Sequence, residues 1–198
     1  MNILIVYSHP SKNSYTFQVL KKLYNKLKEK NCAVIISDLY SLNFKTDMTE
    51  QEYERESFTN PELPLADDVK SEQAKLERAD CVIFLYPVWW SDCPAKLKGW
   101  FDRVFTIGYA YKQTDFLPRM KTIKYGIVLC TAGYSNEFLK DTEIAQSMQT
   151  IMLDDRLGKR FEDKEMVILG DTLNLEKAKQ IHEEQINQLI EKIINCGA

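Results

Sequence analysis

Five short apolar runs recur along the chain, and segments of helical character separate them. Each run is continuous rather than alternating, which is typical of strands that are covered on both faces. The spacing therefore predicts five buried β-strands. They correspond to Ile3–Tyr7, Ala33–Ile36, Cys81–Tyr86, Ile127–Cys130 and Met166–Leu169.

The intervening segments carry apolar residues at helical spacing. One stripe consists of Leu97, Trp100, Phe101, Val104 and Phe105. A second stripe, through Ile144, Met148, Ile151 and Met152, predicts a regular amphipathic α-helix. Alternation of strands with helices indicates a parallel sheet that is covered by helices on both faces.

Right-handed crossovers leave few ways to order five parallel strands. We therefore expect an α/β fold, a flavodoxin-like three-layer sandwich with a five-stranded parallel sheet of order 2-1-3-4-5. A Rossmann-like arrangement is the alternative, which the absence of GxGxxG disfavours; GxxxxGK(S/T) is also absent. No internal repeat or linker interrupts the chain, so residues 1–198 are expected to form one domain.

Composition excludes several classes of function. The net charge of −3 and the lack of a basic block argue against a nucleic-acid partner. No apolar run approaches the roughly 20 residues of a transmembrane segment. The chain enters its first apolar run without a charged leader and cleavage site, so we expect a cytoplasmic protein.

The cysteines and histidines predict no metal site. The five cysteines form no CxxC pair and indicate a reduced compartment. Only two histidines are present, and no HExxH motif occurs. His182 lies beside Glu183 and Glu184, which predicts a solvated residue on a helix face.

Two segments are longer than simple connectors, which often marks function in compact α/β domains. Residues 43–65 are polar, with a helix predicted over 48–57 and a turn over 60–64. Residues 106–122 contain Gly108-Tyr109-Ala110-Tyr111.

In an open parallel sheet, ligands bind beyond the carboxyl ends of the strands where the strand order reverses. Residues 8–16, 87–95 and 131–137 form the loops at that edge. The first loop is rich in small donors and enters a helix, which suits a phosphate with added charge from His9 and Lys12. Asn13 or Ser14 could equally serve only as the helix cap.

The other two loops carry aromatic residues and a glycine. Trp89 and Trp90 could form a wall for a flat aromatic cofactor, or could pack against a neighbouring subunit. Gly133 permits close approach of the backbone to a ligand, or it marks an ordinary turn. Tyr134 could supply a hydroxyl or a stacking ring.

Four stretches together resemble the flavodoxin-like NAD(P)H:quinone oxidoreductase family. They are Ile3–His9 with Ser14, the segment Ser37–Phe44, Pro94–Phe105 after the tryptophan loop, and Thr131-Ala132-Gly133. The segment Pro94–Phe105 is the most specific of them. The resemblance implies a tightly bound FMN or FAD, with NAD(P)H as co-substrate, and a homodimer with two shared active sites.

The resemblance also implies roles for individual residues. Tyr109 and Tyr111 match an aromatic loop that closes over the acceptor, from the partner subunit. The remaining implied residues would hold the flavin phosphate or line its ring. They are His9, Ser14, Tyr15 and Thr16 on the phosphate side, and Pro87, Val88, Trp89, Trp90, Thr131, Ala132 and Gly133 around the ring.

The chain departs from the mammalian-type members of the family. Those members carry a Tyr and a His beyond the glycine turn, whereas residues 134–139 here include no histidine. Tyr134 replaces the second glycine of the turn, contributes to the cofactor site and is the candidate catalytic residue. The chain is also shorter at its C-terminus, which favours FMN over FAD and the smaller bacterial-type members.

The implied activity is two-electron transfer from NAD(P)H to a quinone or similar small acceptor, in ping-pong order. Two alternatives stay open. A flavodoxin-type electron carrier usually has a glycine-containing phosphate loop and a more acidic surface, and Ser8–Thr16 contains no glycine. A regulatory flavoprotein subunit of an ion-efflux system would share the fold without the activity.

Overall fold

The computed structural model describes residues 1–57, 60, 62–111 and 118–196. Five parallel strands form one sheet with the order 2-1-3-4-5, so the predicted fold class is confirmed. The strands are β1 Asn2–Tyr7, β2 Ala33–Asp38, β3 Cys81–Pro87, β4 Ile123–Thr131 and β5 Phe161–Leu169.

Seven α-helices and one π-helix are present among the described residues. Two of the α-helices lie between β2 and β3. The helices are α1 Tyr15–Glu29, α2 Glu50–Ser57, α3 Asp67–Arg78, α4 Ala95–Val104, α5 Asn136–Asp141, α6 Ile144–Gln149, the π-helix Thr150–Leu157 and α7 Leu175–Cys196.

Alternate residues of each central strand enter two separate cores. From β1, Leu4 and Val6 face one core together with Trp100 of α4. Ile3 and Ile5 face the other core, which α1 and α7 complete. Every residue of β3 is buried, as its continuous apolar run predicts.

The sheet edges differ from the prediction. Strands covered on both faces were expected throughout, but β2 alternates between exposed and partly buried residues, and Ile35 is 43% exposed. Glu162 and Asp163 of β5 are also exposed. The reason is topological, because an edge strand has a neighbour on one side only and lies at the margin of the helical layers.

The second helical stripe also differs from the prediction. From Thr150 the helix has π geometry, in which hydrogen bonds join residues five apart. Met152 and Leu157, five residues apart, are therefore buried together, while Ile151 is 38% exposed.

The first part of the segment 43–65 docks onto α4. Gly99 permits this contact, because a Cβ there would lie 2.5 Å from the Thr46 carbonyl oxygen. The Arg103 guanidinium donates to the Lys45 carbonyl at 2.9 Å and to the carboxylates of Glu52 and Asp68. Helix α2 lies within the predicted range 48–57, and the predicted turn at 60–64 includes Pro61, which lies outside the described residues.

Candidate cofactor site

Three loops meet beyond the carboxyl ends of β1, β3 and β4, where the strand order reverses. The Val88 amide donates to the Thr131 carbonyl at 2.8 Å and so joins the second loop to β4. The hydroxyls of Thr16 and Thr131 are 2.8 Å apart in the buried interior and join α1 to β4. The Ser8 amide donates to the Leu85 carbonyl at 3.0 Å.

The first loop ends in a capped helix whose initial amides face outward. Ser14 is the N-cap, because its hydroxyl oxygen accepts from the Phe17 amide at 3.1 Å. Among the described residues, the amides of Tyr15 and Thr16 have no hydrogen-bond partner, as first-turn amides commonly lack one. The helix cap and an anion site can therefore coexist. Ser14 caps the Phe17 amide, and the amides of Tyr15 and Thr16 are left for a phosphate.

His9 is a neutral donor rather than a positive charge. Burial lowers the pKa of His9, so the imidazole is uncharged at neutral pH. Its Nδ1 accepts from the Ser11 amide at 2.9 Å, which assigns the proton to Nε2. The expectation of charge at this position is corrected, and His9 can donate one hydrogen bond to a ligand. Its ring centroid lies 6.2 Å from that of Trp89.

The second loop contains a tight two-residue turn at Trp90 and Ser91. Amide-to-carbonyl bonds of 2.9 and 3.1 Å pair Trp89 with Asp92 across the turn. Trp90 and Ser91 have φ of 51° and 61°, the signs of a type I′ turn that favours asparagine and glycine. The Trp90 side chain is fully exposed. Left-handed backbone at a non-glycine residue is costly and clusters at binding sites.

A partly buried ion pair holds this turn in place. Arg156 of the π-helix donates two hydrogen bonds to the Asp92 carboxylate, at 2.7 and 2.9 Å. The Arg156 side chain is 9% exposed. Burial is the largest single effect and would raise the pKa of Asp92. The hydrogen bonds from Arg156 and from the Cys93 amide, together with the charge of Arg156, outweigh it, and the pKa is lowered.

Cys93 follows this ion pair and is buried. Burial raises the pKa of its thiol to about 12, so it is an unreactive, structural cysteine at neutral pH.

The third loop is fixed by the end of β5. The Ala132 amide donates to the Leu169 carbonyl at 2.9 Å, and the Thr172 hydroxyl donates to the Ala132 carbonyl at 3.0 Å. A Cβ on Gly133 would meet only Leu173, at 3.5 Å, so packing within the described chain does not require glycine. The Tyr134 ring is 61% exposed and stacks on Phe138 at 4.5 Å.

The remaining predicted site residues are placed differently. The Tyr15 side chain leaves the site, because its hydroxyl bonds to Nδ1 of His182 at 2.8 Å. His182 itself is 3% exposed, so the prediction of a solvated residue is wrong; its position on α7 faces α1 rather than water. Tyr109 is buried with its hydroxyl donating to the Gln73 carbonyl, whereas Tyr111 is 38% exposed. Pro87 is the buried last residue of β3.

The sequence-based site does not include the ion pair that supports the second loop. Asp92 lies within the predicted loop, but nothing in its immediate neighbours marks it as half of an ion pair. Arg156 lies 64 residues away, beyond Met152, the last residue of the predicted helical stripe. Only the fold brings the two together.

The site fits a flavin on two observations. The buried Ser8 hydroxyl has no hydrogen-bond partner among the described residues, at the start of the first loop. Gly133, where an added Cβ would make only ordinary contact with Leu173 at 3.5 Å, lies on the third loop. Donors for a phosphate, exposed tryptophans and an unobstructed backbone therefore share one edge of the sheet.

No group of three His, Cys, Asp or Glu side chains is arranged to hold a metal ion in the described part of the chain. Within that part, no helix has the length and apolar character to span a membrane.

Comparison with known proteins identifies the family. The family model of the flavodoxin-like fold matches residues 1–193. A ribosyldihydronicotinamide dehydrogenase (quinone) from Pongo abelii is 35% identical over 157 residues, 72% of this chain and 68% of that protein. NAD(P)H dehydrogenase (quinone) 1 from Rattus norvegicus is 39% identical over 121 residues, which cover 54% of this chain but only 44% of the rat protein.

A solved structure is similar over nearly the whole chain. The NAD(P)H:quinone oxidoreductase from Methanothermobacter marburgensis is 39% identical, with a TM-score of 0.89, and the match covers 98% of this chain and 96% of that one. The shared fold, the sequence identity and the loop arrangement agree: this chain belongs to the flavodoxin-like NAD(P)H:quinone oxidoreductase family.

Proposed function

We propose that this member of the quinone oxidoreductase class binds FMN and passes two electrons from NAD(P)H to a quinone or similar small acceptor. The observation that carries the proposal is the meeting of three loops with complementary chemistry at the switch point of the sheet. The proposal takes residues 1–198 as one flavin-binding domain of a cytoplasmic homodimer.

The first loop binds the phosphate in this proposal. The free amides of Tyr15 and Thr16 offer two donors at the positive end of α1, and His9 adds a neutral donor through Nε2. Ser14 holds the helix end in shape, since its hydroxyl is already committed to the Phe17 amide and the Ser11 carbonyl.

The second and third loops frame the ring. Trp89 and Trp90 provide an aromatic wall. The hydrogen bond from the Val88 amide to the Thr131 carbonyl joins the backbone of this loop to that of the third loop. The strand end Pro87, together with Thr131, Ala132 and Gly133, provides the opposite backbone edge. The flavin, when bound, supplies the two-electron chemistry, while the protein binds and orients the reactants.

The exposed side of the site supports a ping-pong order of reaction. Trp90 and Tyr134 stand open to solvent, which leaves one face for both substrates. NAD(P)H and the acceptor would occupy that face in turn, which gives a ping-pong mechanism. The exposed Tyr134 hydroxyl is the candidate proton donor to the acceptor, and Tyr111 from the partner subunit would cover the face.

Steady-state kinetics test the proposal. With FMN-loaded protein, initial rates at several fixed quinone concentrations should give parallel double-reciprocal lines against NADH or NADPH. Intersecting lines would exclude the ping-pong order. Bound flavin without any NAD(P)H oxidation would instead indicate an electron carrier, and mass analysis of released cofactor separates FMN from FAD.

A further inference from the structure

Helix α2 ends against the turn that carries Tyr111. The Glu56 carboxylate accepts two hydrogen bonds through Oε2, from the Ile107 amide at 2.7 Å and from the Tyr111 hydroxyl at 2.6 Å. Arg55 donates through Nη2 to the Ile107 carbonyl at 3.2 Å. The polar groups of this turn are thus bound by two consecutive residues of α2.

The two residues are themselves well anchored. The Arg55 side chain is 2% exposed, forms an ion pair with Glu56 and donates from Nε to the Leu63 carbonyl at 3.2 Å. Glu52, one turn earlier on α2, receives Arg103 of α4 at 2.7 Å. The contacts form a continuous series from α4, which follows the tryptophan loop, through α2 to the Tyr111 turn.

We propose that Glu56 is a positioning residue for the acceptor site, because its carboxylate fixes the ring of Tyr111 through the hydroxyl. The inference rests on the proposed function, in which Tyr111 covers the substrate face of the partner's site. It assigns a purpose to the polar segment 43–65, which the flavin site does not use.

The geometry also defines which kind of contact Tyr111 can make with the electron acceptor. The Tyr111 hydroxyl donates its hydrogen bond to the Glu56 carboxylate, so it cannot donate a hydrogen bond to the substrate. Its ring is 38% exposed and presents an apolar surface. The acceptor class that fits is a planar conjugated molecule that packs against a ring, rather than one recognised by a hydrogen bond from this tyrosine.

Three variants test the inference. Glu56→Gln removes the charge, Tyr111→Phe removes the hydroxyl, and the double variant removes both. Glu54→Gln is the matched control, since it makes the same change on an exposed residue of the same helix. Thermal unfolding of the FMN-loaded proteins identifies any variant that fails to fold.

The expected result is a shared kinetic effect. Glu56→Gln and Tyr111→Phe should each raise the acceptor KM about three- to tenfold, the scale of an ordinary hydrogen bond, with unchanged flavin affinity. The double variant should add little to either single change. A KM that rises in Tyr111→Phe and not in Glu56→Gln would overturn the inference, since the hydroxyl would then contact the acceptor directly.

A spectroscopic measurement judges the contact without turnover. Burial and the Glu56 carboxylate raise the pKa of Tyr111. With 3-fluorotyrosine incorporated, the 19F resonance that disappears in Tyr111→Phe should titrate at lower pH in Glu56→Gln than in the wild type. Identical titrations would overturn the inference. Inactive wild-type protein with a shifted titration would count against the proposed function alone.

Discussion

Gly133 and Gly99 are glycines for different physical reasons. At Gly99 a Cβ would collide with the backbone of Thr46, so the chain's own packing requires glycine. At Gly133 a Cβ would make only ordinary contact with Leu173, and its φ is not in the left-handed region. Any requirement for glycine at position 133 would therefore come from a ligand that approaches its backbone closely.

Gly133→Ala is predicted to separate binding from folding. The unfolding free energy of the cofactor-free protein should change by less than about 1 kcal/mol, because alanine fits the space and the backbone. Flavin affinity should fall at least tenfold. Gly99→Ala, the matched substitution, should lose about 1–3 kcal/mol of stability because the Thr46 backbone must move. Urea unfolding and flavin titration measure both, and unaltered flavin affinity in Gly133→Ala would remove this glycine from the site.

The two histidines predict how stability depends on pH. Burial lowers the pKa of both His9 and His182 in the folded state. In the unfolded chain the histidines have an ordinary pKa near 6.5, so the unfolded chain binds more protons than the folded chain as the pH falls below that value. The folded state therefore loses stability as the pH falls. The unfolding free energy should decrease from pH 7 to pH 5. His182→Asn should flatten that decrease, with His9→Asn as the comparison, and an equally steep decrease in both variants would contradict it.

The tryptophan loop depends on the π-helix. The turn at Trp90 and Ser91 lacks the glycine that its left-handed backbone favours, so other contacts must stabilise it. The Arg156–Asp92 pair supplies two of them from a neighbouring element. The Cys93 amide, which donates to the Asp92 carboxylate at 2.6 Å, supplies a third.

Breaking that pair is predicted to weaken cofactor binding. Arg156→Met leaves the partly buried Asp92 carboxylate without its partner and should cost about 1–3 kcal/mol of stability. The flavin Kd should rise about tenfold as the turn loosens. Lys98→Met, which breaks the exposed Lys98–Asp102 pair, should change neither quantity appreciably. A flavin Kd that stays the same in Arg156→Met would disprove the link between π-helix and loop.

Elements with a strong apolar pattern were predictable from the sequence. The run Cys81–Tyr86 gives β3, and the stripe from Leu97 to Phe105 gives α4. The π-helix was not predictable, because the apolar spacing from Ile144 to Met152 also suits a regular α-helix. The placement of Glu56 was equally hidden, since its partner Tyr111 lies 55 residues further along the chain.

The meeting of the three loops at one edge of the sheet was predictable from the sequence. Parallel-strand topology places the carboxyl ends of β1, β3 and β4 together, independently of the side-chain conformations. Side-chain direction was not accessible: the Tyr15 hydroxyl turns to His182, and Tyr109 enters the core. Such choices depend on long-range contacts that local periodicity does not encode.

At the scale of the whole molecule, the exposed aromatic residues are the basis for proposing a homodimer. Trp89, Trp90, Tyr111 and Tyr134 are all at least 38% exposed. Exposed aromatic clusters of this kind usually mark an interaction surface. A two-fold homodimer would bring Tyr111 of one protomer over the flavin face of the other and create two equivalent sites.

Subunit mixing tests that arrangement. A variant inactivated at His9 and one inactivated at Tyr111 should regain partial activity when mixed after mild dissociation, because one site of each heterodimer is then intact. The separate homodimers serve as controls. A stable active monomer in sedimentation, or proven heterodimers without activity, would exclude the shared site.

Titration of the cofactor-free protein with FMN tests the central claim most directly. Absorbance in the flavin bands should shift, and tryptophan fluorescence should fall as Trp89 and Trp90 meet the ring, to saturation at one FMN per chain. The Kd should be micromolar or below, and Trp90→Ala should raise it about ten- to hundredfold, or 1.4–2.8 kcal/mol. Absence of saturable binding by either FMN or FAD in the micromolar range would contradict the account.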